Sequence, residues 1–167
     1  LRRVFEAEGI TVIDDRAVAV TQDHARVRVR TRTAREAAGE RVLIATGRTP
    51  RVDGLNLASA GVETNDHGFI RVDAYQRTTN PAVFAAGDVT DAPQYVYVAA
   101  MAGRVAARNA LGHHEHVDYT GLPSVLFTSP QLASAGMTES DAIAAGYPCP
   151  SRYLPMAALP RPTPTHH

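Results

Sequence analysis

The chain has 167 residues, 44% of them hydrophobic and 20% charged, with Lys plus Arg and Asp plus Glu balanced at 17 each. Such a composition describes a globular protein with a real core and excludes an unfolded polyelectrolyte. The charge balance gives no global field toward nucleic acid or an anionic membrane, and no apolar run is long enough for a transmembrane helix.

In chain order, residues 1–8 carry apolar positions near helical spacing and stop at Gly9, which predicts the last turns of a helix. The opening Leu1-Arg2-Arg3, with no initiator Met, reads as the middle of a longer protein. Residues 10–13 and 17–21 are strand candidates. Residues 26–33 alternate strictly, with Arg26, Arg28, Arg30 and Arg32 on one face, which predicts a half-exposed antiparallel strand. Without interleaved aromatics, that arginine row is expected to be a solvated face and not a nucleic-acid groove.

A polar turn is expected over residues 35–40, followed by a strand over 41–45 (RVLIA) buried on both faces. A short helix over residues 55–60, closed by Gly61, and a strand over 69–72 after the Asn65–Gly68 turn come next. Residues 82–86 read as another buried strand, halted at Gly87-Asp88. A long helix is predicted from about Pro93 to Leu111, closed by Gly112, with its apolar stripe through Val96, Ala99, Ala100, Gly103, Ala107 and Leu111. The HHEH run at 113–116 is expected to be an exposed connection, because zinc needs ligands converging from separate segments.

After Tyr119, strands are expected over 124–127 and 131–135, then a helix to Ala145 capped by Thr138, with Glu139 and Asp141 in its first turn. A last strand is expected near Ser151, and the proline-rich residues 159–167 read as an unfolded tail. The single cysteine, Cys149, excludes an internal disulfide and reads as a bystander.

Two strand ends could carry chemistry. At Thr46-Gly47, a small-residue turn lets a ligand approach the backbone. At Gly87-Asp88, a carboxylate able to accept from sugar-type hydroxyls precedes a helix N-terminus, which attracts an electron-rich edge or an anion. On the residues alone, a flavin site and an Asp that merely caps its own loop are about equally good readings of that second place.

The stretch LIATGRTP (43–50), followed by VFAAGDVTDAPQYVYVAAMAGRVAA (83–107), strongly resembles the pyridine-nucleotide-disulfide oxidoreductases. These flavoproteins include glutathione reductase, dihydrolipoamide dehydrogenase and mercuric reductase. The wording from Ala92 to Ala100 and that of residues 151–161 is most similar to the mercuric reductase branch, and residues 122–146 resemble the start of the family's dimer-interface domain. The resemblance implies an α/β fold: a partial FAD/NAD(P)-binding Rossmann-like domain, then the start of an α+β dimerisation domain. It divides the chain into the end of an NAD(P) domain (1–47), a returning FAD segment (48–118) and a truncated interface domain (119–167).

It also implies that Asp88, presented by Gly87, receives the ribityl chain of FAD, and that the Val96 backbone, with Gln94 and Tyr95 beside it, meets the flavin. Gly47 would lie near the nicotinamide of NADP (NADPH). The activity implied for the full-length protein is reduction of Hg(II), or alternatively of a disulfide such as lipoamide, in a cytoplasmic homodimer without nucleic-acid or membrane partners. The chain contains no GxGxxG loop and no Cys-x4-Cys pair. No catalytic residue and no metal ligand are therefore expected within it, and by itself it is expected to be inactive and prone to aggregate. A reading from another class is a non-catalytic flavin-binding or dimerisation module.

Overall fold

The computed structural model describes residues 1–155, so the proline-rich tail and the end of the last expected strand lie outside the described residues. The chain divides into two compact units, Leu1–Asp118 and Tyr119–His167.

In the first unit, α1 (Arg2–Ala7) ends before Gly9, which takes the left-handed φ of +85°. An antiparallel sheet follows, built from β1 (Ala17–Asp23), β2 (Arg26–Thr31) and β3 (Glu36–Gly39) in the order β1-β2-β3. The alternation of β2 holds: Val27 and Thr31 are buried and Val29 half-buried, while Arg26, Arg28 and Arg30 face water. Residues 10–13, expected as a strand, lie before the sheet and pair with nothing in it. Residues 36–39, expected as a turn, are a strand, because the backbone groups of β2 on that side recruit them in register from Val27↔Gly39 to Arg30↔Glu36.

Residues 41–45 depart most from expectation. They form no strand, and Val42, Leu43 and Ile44 are 41%, 89% and 71% exposed. An apolar run expresses a demand for burial, and no described strand offers these residues a neighbour.

Residues 49–95 form a compact, loop-rich region with little regular structure. Its core is Val62, Ile70 and Ala85, packed with Val52, Leu57, Val72, Val83 and Val89. The expected helix over 55–60 is a series of tight turns, ending in hydrogen bonds from Gly61 N–H to the Ala58 carbonyl and from Val62 N–H to the Leu57 carbonyl. The strands expected over 69–72 and 82–86 shrink to isolated bridges, Ile70 with Thr64 and Thr90, and Phe84 with Arg77.

Helix α2 (Val96–Ala110) is the longest element. It starts three residues after Pro93, because Tyr95 is still extended (φ −123°, ψ 147°). Its buried face is Val98, Ala102, Val105 and Ala106, not the expected stripe: Val96 and Leu111 are 87% and 82% exposed. The helix is apolar nearly all round, so periodicity permits two stripes, and the one carrying Val98 and Val105 alongside Ala102 and Ala106 takes the core.

In the second unit, β4 (Pro123–Leu126) pairs antiparallel with β5 (Leu132–Ala135) through a connection containing the cis Ser129–Pro130 bond. Helix α3 (Glu139–Ala144) opens as expected, with the Thr138 hydroxyl accepting from Asp141 N–H at 3.2 Å. Residues 151–155 form no strand.

Candidate functional site

The site is built where the loop-rich core hands the chain to α2. Gly87 is buried with φ +80°, and a Cβ there would stand 3.2 Å from the Ala99 Cβ on the first turns of α2. Glycine is thus required twice, for the left-handed backbone and for the close approach of loop to helix. Thr90, fully buried, closes the turn: its N–H and its hydroxyl both donate to the Gly87 carbonyl, at 2.9 and 2.8 Å. Ile70 N–H donates to the Val89 carbonyl at 2.9 Å and ties the turn to the core. Together these bonds fix the backbone on both sides of Asp88 and leave its carboxylate about half exposed (54%).

An open cleft of about 350 Å³ lies in front of that carboxylate, lined by Arg48, Thr49, Pro50, Arg51, Asp88, Val89 and Gln94. One nitrogen of Arg48 is 3.7 Å from Asp88 Oδ2 and donates to the Gln94 carbonyl at 3.2 Å. The turn at 46–50 and the loop at 88–94 are therefore joined by a single guanidinium.

No side chain caps the first turn of α2, and no acidic residue sits in it. Its leading N–H groups lack intrahelical acceptors and carry the positive end of the helix dipole. Tyr95 caps the helix with its backbone and stacks its ring on Tyr97, with centroids 5.1 Å apart. Burial, and then the neighbouring Tyr95, push the Tyr97 phenol's pKa upward.

Of the residues singled out in the sequence, the fold brings Asp88 and Gln94 to one cleft, with Gly87 buried behind Asp88, and sets Tyr95 and Val96 at the helix start that follows Gln94. Gly47 stands next to Arg48 but does not line the cleft. Its φ of +116° demands glycine, and a Cβ there would touch nothing within 4 Å. Sequence reasoning missed Arg48 and Thr90. The available signals were a cation inside the 46–50 turn and a hydroxyl residue three after Gly87, positioned to donate to the turn's carbonyl.

The far end of α2 is closed by contrast. Glu115 receives both Arg104, at 2.8 Å, and Arg108. The Asn109 amide donates to the carbonyls of Tyr75 and Glu115, at 2.9 and 2.7 Å, and accepts from Glu115 N–H at 2.8 Å. Burial opposes the Glu115 charge, but the two arginines outweigh it and hold its pKa below 4.5. His114 and His116 lie against the Tyr75 ring, with centroids at 4.2 and 6.4 Å. Among the described residues no group of three or more His, Cys, Asp or Glu is placed to hold a metal ion.

A family model described as pyridine nucleotide-disulphide oxidoreductase matches residues 1–103. The chain belongs to this family. A mercuric reductase of Bacillus cereus is 49% identical over 123 residues, covering 73% of this chain and 20% of that protein. A dihydrolipoyl dehydrogenase of Thermus scotoductus is 36% identical over 167 residues, covering 96% of this chain and 36% of that protein. Among solved structures, the HOCl-induced flavoprotein disulfide reductase of Escherichia coli superposes with a TM-score of 0.81 at 29% identity, over 95% of this chain and 37% of that one. The chain thus spans between about a fifth and rather more than a third of these oxidoreductases. The α/β architecture of the family is present in part. No described helix is long and apolar enough to cross a membrane.

Proposed function

We propose that the chain is the flavin-returning segment of an NAD(P)H-dependent flavoprotein reductase, with Gly87, Asp88, Gln94, Tyr95 and Val96 forming one half of a FAD site. The observation that carries this reading is the pairing of two complementary groups: a half-exposed carboxylate lining the cleft, and, directly after the cleft residue Gln94, a helix start whose N-cap Tyr95 makes no side-chain cap hydrogen bond. A carboxylate takes hydroxyl donors and a helix N-terminus takes an electron-rich acceptor, so the pair suits a ligand that is polyhydroxylated at one point and carbonyl-bearing at another. A ribityl-linked flavin has that chemistry. The close contact of Gly87 with Ala99 supports the fit, because the loop and the helix start are held at one fixed separation.

Within the whole protein, Asp88 would orient the ribityl chain and α2 would stabilise negative charge at the ring edge. FAD would supply the relay of electrons from the nicotinamide, NADPH by this reading, to the substrate. Gly47 would keep the 46–50 turn open on the nicotinamide side. We assign Hg(II) as substrate on the wording of residues 92–100 and on the mercuric reductase relative. A disulfide such as lipoamide is the second assignment, favoured by the dihydrolipoyl dehydrogenase that aligns over 96% of the chain. A cytoplasmic homodimer, with residues 119–167 contributing to the interface, completes the reading, as do the boundaries at 47 and 118 between the nicotinamide-domain, flavin and interface segments.

Titration of FAD with the full chain, followed by quenching of flavin fluorescence, tests the site. Saturable quenching that is weakened at least about tenfold by Asp88→Ala is the expected result, since the variant loses a charge-assisted hydrogen bond. Binding indifferent to Asp88 would sink this assignment.

A further inference from the structure

We propose that Arg48 is a positioning residue: it sets the distance between the Asp88 carboxylate and the start of α2, and so spaces the two halves of the cleft. The inference rests on the flavin-site reading above and deepens it. A single guanidinium nitrogen reaches Asp88 Oδ2 at 3.7 Å and the Gln94 carbonyl at 3.2 Å. These two partners are the ends of the loop that leads into α2. The residues between them are tied locally, Thr90 N–H to the Gly87 carbonyl, Ile70 N–H to the Val89 carbonyl, the Asn65 amide to Asp91 and Tyr95 N–H to the Pro93 carbonyl, but none of these contacts spans the two ends of the loop as Arg48 does. Arg48 itself comes from a turn 46 positions away from Gln94, so it fixes the loop against a different part of the core.

The pair is not built for stability. Both side chains are more than half exposed, at 62% and 54%, and ion pairs so exposed contribute little to folding. What the contact does specify is geometry. A ligand that bridges a carboxylate and a helix start needs both at a fixed spacing before it arrives, because ordering a loop on binding lowers affinity. Both contacts use one nitrogen, so a lysine ammonium, which is also a point donor, can serve both partners, whereas a neutral glutamine cannot hold the carboxylate.

The test uses the full chain, isotopically labelled, in three forms: unaltered, Arg48→Gln and Arg48→Lys. Without any ligand, the amide resonances of residues 94–98 are expected to move in Arg48→Gln and to return most of the way in Arg48→Lys. Those of Asn109 and Val117, at the other end of α2, are expected to stay in place, and the denaturation midpoint to stay unchanged. FAD affinity is expected to fall about tenfold in Arg48→Gln and to recover in Arg48→Lys. Unmoved amides, or movement not rescued by lysine, overturn the proposal. So does full FAD affinity in Arg48→Gln when Asp88→Ala has lost it, and the flavin site then stands without its spacer. If the unaltered chain takes up no FAD, the flavin reading fails instead, and the ligand-free amide shifts alone decide whether Arg48 sets the loop.

Discussion

The two ends of α2 are built on opposite principles. At the carboxyl end, the helix's polar side chains are matched: Asn109 bonds the carbonyls of Tyr75 and Glu115 and the Glu115 N–H, and Glu115 gathers Arg104 and Arg108 next to the helix's negative pole. At the amino end the N-cap Tyr95 makes no side-chain cap hydrogen bond, Val96 is 87% exposed, and Arg48 and Asp88 form an open pair across a cleft. Between them, the buried Val98, Ala102, Val105 and Ala106 fasten the helix to its unit. A helix end that needs only to be stable is closed with side chains. On the proposed flavin-site reading, the open end is left to the ligand.

The largest effect on stability is therefore expected at the closed end. Asn109→Ala strands three backbone groups that are partly shielded from water, and each such loss is substantial, so the full chain should lose about 2–3 kcal/mol in urea denaturation. Whatever FAD affinity the folded fraction has should be unchanged. A loss below about 0.5 kcal/mol would mean that water replaces Asn109 readily, and that the end is no more closed than the other.

What the sequence made legible follows the same division between self-contained and partner-dependent features. The cap at Thr138, the alternation of β2 and the existence of α2 are written in residues that satisfy one another locally, and they stand as expected. Residues 41–45 and 82–86 were readable only as a wish for burial. A parallel-type strand takes its hydrogen bonds from neighbours, and none pairs fully with either segment here, so one is exposed and the other reduced to a bridge. The face of α2 was misread for a related reason. Two apolar stripes compete on the helix, and only the tertiary partner chooses between them. At the site, Gly87, Asp88 and Gln94 could be named because they sit beside a helix start in sequence. Arg48 could not, because its role depends on a contact spanning 46 positions.

A smaller effect is expected where the open end meets the core. Gly87→Ala places an L side chain at φ +80° and a methyl 3.2 Å from the Ala99 Cβ. The left-handed backbone alone costs about 1–2 kcal/mol, and the helix start must also yield by a few tenths of an ångström. Stability should drop modestly while FAD affinity drops more than stability accounts for, because the displaced part is the first turns of α2. If denaturation and FAD titration fell in strict proportion, Gly87 would be a folding residue only.

The smallest effect is expected from acid, and part of it falls on the closed end. The Glu115 carboxylate is disfavoured by burial but is held below its ordinary 4.5 by Arg108 and Arg104, so folding favours its charged form. Asp73 behaves alike: burial opposes it, but the Arg77 backbone N–H and guanidinium and the Tyr75 N–H outweigh that and hold it below 3.8. Thr33, first through its hydroxyl and then through its N–H, holds Asp15 well below the carboxylate range. A carboxylate with a depressed folded-state pKa contributes its stability above the unfolded value and loses it as pH falls through the folded one. The urea midpoint should accordingly be flat above about pH 5 and decline below about pH 4. Glu115→Gln should make that decline shallower, leaving the share carried by Asp73 and Asp15. An unchanged acid slope in Glu115→Gln would show that Arg104 and Arg108 are solvated in practice, and that Asn109 alone closes the end of the helix.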